Sequence, residues 1–151
     1  MSLITKWIPP LVAGLVLAAC GGEEAADAAA PAARAEAAAP SAGDRELAAL
    51  TAGWTAEQRE ACGRELEETL GTRDLVEGAL AAVADPQGRA AAELEDAKHW
   101  KAAGDSTLAA LRPRLRAGAC DGGVQVGLDE AVQAYVKAGT SAVQAGQIAG
   151  S

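Results

Sequence analysis

Between residues 44 and 151, large apolar side chains return every three or four positions and do not alternate. Cys62, Leu66 and Leu70 stand four apart, and Leu108, Leu111 and Leu115 follow the same rhythm. That period lines one face of an α-helix, whereas a half-buried strand needs a period of two. No alternating Val, Ile, Thr or Tyr run is present. The chain is therefore expected to be all-α.

Helix punctuation is frequent, and it predicts five to six short helices. Asp44 is placed to cap a first helix carrying Leu47 and Leu50 and ending near Gly53. Thr55-Ala-Glu-Gln58 reads as a capping box for a second, which Gly71 ends. Thr72 starts a third, burying Leu75, Val76, Ala79, Leu80 and Val83, which stops at Asp85-Pro86. A fourth spans about 87–103, with Ala90, Leu94, Ala97 and Trp100 inward, and Gly104 ends it. Asp105 or Ser106 caps a fifth, which Pro113 should kink or divide. Residues 118–123 read as a loop. The last helix starts near Leu128, carries Val132, Tyr135, Val136 and Val143, and frays from Gly146.

The N-terminal stretch follows a different logic. Residues 1–19 hold one charge, Lys6, followed by the apolar run Leu11–Leu17. This is the order of a secretory signal, and the run is too short to cross a bilayer, which takes about 20 apolar residues. Pro9 and Pro10 also prevent a longer helix from starting upstream. Leu17-Ala18-Ala19-Cys20 closes the run and resembles the lipobox of bacterial lipoproteins. The resemblance implies a diacylglyceryl group on the Cys20 thiol, cleavage before Cys20 and acylation of the new amine. Several acyl chains hold a protein to a membrane durably, at about 0.8 kcal/mol per buried methylene. Gly21 and Gly22 follow, with no aspartate at the inner-membrane retention position. For a cell with two membranes this implies the outer one, facing the periplasm.

Residues 20–43 read as an acylated cysteine and a disordered tether. Positions 21–43 hold twelve alanines, Pro31 and Pro40, and no large apolar side chain, so ordering them has little to offset its entropy. Fully extended, at about 3.1 Å per residue, this stretch reaches roughly 70 Å. Residues 44–151 then form one helical domain.

That domain has a thin core. It contains no Phe, and its large aromatics are Trp54, Trp100 and Tyr135. Alanine faces pack closely but bury little area each, and a domain so built benefits from a staple. With Cys20 assigned to lipid, Cys62 and Cys120 remain as an even pair in an exported chain, which points to a disulfide bracing the bundle. A redox pair or metal site is opposed by spacing, since there is no Cys-x-x-Cys and only one histidine.

From Cys20 onward the chain carries twelve basic and twenty-one acidic residues, a formal charge of −9. An acidic chain of this kind is a poor candidate for binding nucleic acid or for lying on anionic lipid. Glu57, Glu60, Glu65, Glu67 and Glu68 crowd one helix, and Arg112, Arg114 and Arg116 cluster on another. His99 follows Glu95 and Asp96 at helical spacing, an arrangement that can orient an imidazole, but one imidazole makes neither a zinc nor a di-iron site. No Gly-x-Ser-x-Gly, phosphate loop or haem-attachment motif occurs. No cofactor or catalytic residue is expected. Trp54 and Trp100 read as core, with Arg59 placed for a cation–π contact on Trp54.

These features predict a lipid-anchored envelope lipoprotein whose helical domain binds a protein partner. The lipobox, the tether, the Leu47-Ala-Ala-Leu50 opening and the two distant cysteines are also similar in architecture to the helical pilotins of type II secretion. That resemblance spans about 44–136 and implies a secretion accessory that receives a partner helix. The acidic helix is also compatible with an inhibitor of an envelope enzyme that meets a basic target. The Glu95/Asp96/His99 spacing is compatible with a His99-dependent enzyme.

Overall fold

The computed structural model describes residues 39–151, which form four helices and, among the described residues, no strand. Helix α1 is Ala42–Thr51. Helix α2 covers residues 56–81: one α-turn, a π-helical stretch at Arg59–Gly63, and Arg64–Ala81. Helices α3 and α4 are Arg89–Arg116 and Gly122–Ala149. The all-α expectation holds, but the count does not: four helices, three of them long, replace five or six short ones.

The difference arises at glycines expected to end helices. Gly71 and Thr72 lie inside α2, where the Thr72 hydroxyl donates back to the Glu68 carbonyl at 2.7 Å and has no new helix to cap. Gly104 lies inside α3 beneath the Tyr135 ring. Asp105 does not cap a helix; it accepts from the Tyr135 hydroxyl and from Lys101, both at 2.8 Å. Pro113 sits in the last turns of α3 without dividing it. Its missing N–H leaves only one interior carbonyl unpaired, a cost the packed helix absorbs.

The caps are partly as expected. Thr55 N–H donates to Gln58 Oε1 at 2.7 Å and Gln58 N–H to Thr55 Oγ1 at 3.2 Å, the reciprocal box read from the sequence. At α1 the cap is Ser41, and Asp44 is its third-position partner, with bonds of 3.0 and 2.9 Å. Helix α4 begins at Gly122, well before Leu128, because Asp121 Oδ1 accepts from the Gly123 and Val124 amides. It continues to Ala149, past the expected fraying point. Gly118, at φ +75°, closes α3: the Gly118 amide bonds Leu115 and the Ala119 amide bonds Arg114, both at 2.9 Å.

Helix α4 is the spine. Helix α3 runs antiparallel to it, with Leu111 against Gly127, Gly104 against Tyr135, and Asp96 bonded to Ser141. Helix α2 runs parallel to it, with Val76 against Gly139 and Val83 near Gly146. Helices α2 and α3 barely touch each other. At the end where they diverge, α1 packs on both, and Leu50, Trp54, Leu66, Leu70, Leu108 and Leu115 form the larger apolar cluster. Toward the α2–α3 turn a smaller cluster of Val76, Ala131, Tyr135 and Ala138 takes over.

Three expected core residues are outside. Leu75 is 76% exposed, Val136 53% and Val143 52%. Gly127 and Ser141 of α4 meet Leu111 and Asp96 of α3, and the buried Ala131, Ala134, Ala138 and Ala145 share their face at helical spacing, so the larger valines point elsewhere. Small residues on this seam let the two helices approach closely.

Candidate functional site

Cys20 and its lipobox, the signal stretch and nearly all of the tether lie outside the described residues. Cys62 and Cys120 are bonded, with Cα atoms 5.9 Å apart. The bridge ties the π-helical stretch of α2 to the α3–α4 turn, and Cys62 is fully buried. Gln58 reinforces it: while its Oε1 serves the Thr55 cap, its Nε2 donates to the Gly118 carbonyl at 2.8 Å. The Trp54 indole is buried and donates to the Leu115 carbonyl at 2.7 Å. Arg59 bonds the Thr51 carbonyl, so the expected Arg59–Trp54 contact gives way to backbone capping. Trp100 is half-buried and carries the Lys137 ammonium 4.2 Å above its ring.

The structure does not assemble the residues around His99. Its imidazole is exposed; Glu95 pairs with Lys98 at 2.7 Å, and Asp96 accepts from Ser141 at 2.7 Å. Among the described residues, no group of three or more His, Cys, Asp or Glu is placed to hold a metal ion. The arginine cluster is also divided: Arg112 pairs with Glu46 and Arg114 with Asp121.

A polar layer crosses the bundle where α1 begins. Arg73, 7% exposed, bonds Glu46 of α1, and Arg112 of α3 bonds the second Glu46 oxygen at 2.7 Å. Asp74 accepts from Arg73 and from the Gly43 amide at 2.7 Å. Burial alone would raise the Glu46 carboxyl, but hydrogen bonds and charge from Arg112 and Arg73 outweigh it and hold the group below its ordinary value. Asp74 behaves likewise, its burial outweighed by the Gly43 amide and the Arg73 guanidinium. Arg73 is raised despite burial, through Glu46 and Asp74. Burial and the bond to Asp105 push the Tyr135 phenol well above its usual value. Every ionised group of this layer has a partner of opposite sign, the arrangement of a clamp between helices.

The feature left open is a groove between α2 and α4, on the side of α2 away from α1. At its upper end Glu65, Glu68, Gln125, Leu128, Asp129 and Val132 line a hollow of about 80 Å³. Helical phase carries the same faces downward: Val136 and Val143 continue the α4 side, and Leu75 stands on the α2 rim. Leu75 follows Glu68, and Val136 and Val143 follow Asp129, at seven-residue steps, so helical phase puts three of the four exposed large apolar residues of the described chain on the same sides of α2 and α4 as the lining of the hollow. Glu65 Oε1 receives a long bond from exposed Arg64, whereas Oε2 is buried without a partner among the described residues. Sequence reasoning missed this groove by assigning the valines to the core. The signal was the Ala/Gly/Ser face of α4, which claims the interior and turns Val132, Val136 and Val143 to a different side.

No family model, curated protein or solved structure matches this chain.

Proposed function

We propose that this chain is a lipid-anchored bacterial envelope lipoprotein whose helical domain is a binding or adaptor module with no catalytic role. The observation that carries the binding reading is the uncovered groove between α2 and α4, with Leu75, Val136 and Val143 exposed along it. Monomeric proteins rarely gather exposed large apolar residues on one face without an interaction to serve. The anchoring reading rests on Leu17-Ala18-Ala19-Cys20 behind its short apolar run.

The ion pairs support the same reading. Among the described residues, the buried pair Arg73–Glu46 and the Arg112–Glu46 pair beside it tie three helices together, a structural use of charge. The anchoring half is tested by metabolic labelling with an alkyne palmitate analogue. Label is expected on the wild-type chain and lost in Cys20→Ser; label retained in the variant overturns anchoring. The binding half is tested by in-cell crosslinking followed by mass spectrometry, where recovery of no protein partner overturns it.

A further inference from the structure

We infer that the groove between α2 and α4 receives a single amphipathic helix from a protein partner, with its lysines or arginines lodged against Glu65, Glu68 and Asp129. The inference rests on the binding-module reading and adds the occupant's chemistry and its direction along the groove.

Three observations select that occupant. The first is shape. From Glu65 to Ala79 the α2 wall is fifteen residues, about 21 Å end to end at 1.5 Å per step, which accommodates about four turns of helix. Val132, Val136 and Val143 repeat at four and seven positions along the opposite wall. Residues spaced this way mesh with apolar anchors spaced three and four apart on a helix lying between them.

The second is polarity along the groove. Its upper end is acidic and its lower end apolar, so the two ends favour different side chains. Glu65, Glu68 and Asp129 come from two helices and converge on one hollow. The only cation bonded to any of the three, among the described residues, is Arg64, itself solvent-exposed. The third is the buried Glu65 Oε2, which lacks a hydrogen-bond donor. A buried carboxylate oxygen left unpaired is costly, and rotation of the Glu65 side chain, which is 37% exposed, presents it to an incoming ammonium or guanidinium. A neutral or acidic segment offers no such cation, and neither does a second copy of this acidic chain presenting the same groove.

The test is site-specific photocrosslinking of the full chain in its own cells, with benzoylphenylalanine at Val136, Val143 or, as an off-groove control, Val126. Val126 is also exposed, at 59%, but points to another side of α4. Expected are crosslinks from positions 136 and 143 to one partner segment. Its apolar residues should recur three and four apart, with at least two Lys or Arg at the end toward Asp129. The double substitution Glu65→Gln, Glu68→Gln is expected to cut that yield about tenfold, since it removes charge complementarity from a partly desolvated site. A thermal melt of this variant close to wild type shows that the loss is not unfolding.

Crosslinks from the groove to a second copy of the chain, to lipid, or to a segment without bases overturn the inference, as does an undiminished yield in the double variant. Crosslinks to a protein from Val126 alone overturn it while leaving the binding-module reading intact. No protein crosslink from any of the three positions overturns both.

Discussion

Two glycines show how much one hydrogen atom decides. Gly71 and Gly104 both interrupt helical patterns and look alike in the sequence. In the structure, a Cβ on Gly71 meets nothing within 4 Å, whereas one on Gly104 would lie 2.7 Å from Tyr135 Cε1. Gly71→Ala is therefore expected to stabilise the domain by about 0.5–1 kcal/mol, through the helix preference of alanine. Gly104→Ala is expected to destabilise it by about 1–3 kcal/mol, because the ring or the helix must move. Thermal unfolding of the two variants should move in opposite directions; shifts of the same sign would reject the packing at Tyr135. No local signal separates these glycines, because the difference lies in a residue thirty-one positions away. The Thr55–Gln58 box, by contrast, was legible: its partners are three apart and need no tertiary context.

The helices themselves were legible as faces and misjudged as lengths. Cys62, Leu66 and Leu70, then Leu108, Leu111 and Leu115, are buried as their spacing demands. Boundaries failed where Gly-Thr and Gly-Asp-Ser resemble end signals but tertiary packing carries the helix through them. Helix α1 illustrates what spacing cannot show. Its anchorage depends on Glu46 meeting Arg73 and Arg112, partners 27 and 66 residues away. Glu46 and Asp74 have folded-state values below their ordinary ones, so their stabilisation is complete above the unfolded values, 4.5 and 3.8, and is lost as pH falls through the lower folded ones. Melts between pH 7 and 2.5 should show stability declining below about pH 4.5, and Glu46→Gln should flatten that decline. At pH 7 this variant leaves Arg73, with its 8%-exposed side chain, short of a partner, at an expected cost of about 2–4 kcal/mol. An unchanged pH profile would show that α1 is held by its leucines alone.

For the whole molecule, the small core and the disulfide belong together. The bridge spans 58 residues and fastens the start of α2 to the α3–α4 turn. A reducing agent, or the paired substitution of Cys62 and Cys120 by Ala, should lower unfolding free energy by about 2–5 kcal/mol in urea titrations. A change under 1 kcal/mol would mean that Gln58, Trp54 and the leucine cluster suffice without it. The pairing was legible from a count of three cysteines, one set aside by its neighbours. The groove was not, because it depends on which side of α4 faces inward, and alanines decide that without leaving a strong pattern.

The order of the chain adds a last consequence. Helix α4 is both the last helix of the described residues and the surface on which α2 and α3 rest, while those two scarcely meet. A nascent or partly threaded chain that ends before Gly122 holds two long helices joined at one end, through α1, the Trp54–Leu115 bond and the two cysteines, and unsupported along the rest of their length. Until α4 arrives, such a chain leaves the inner faces of α2 and α3 open to water, so the last described helix is the one that turns a partly assembled, sticky intermediate into a closed bundle.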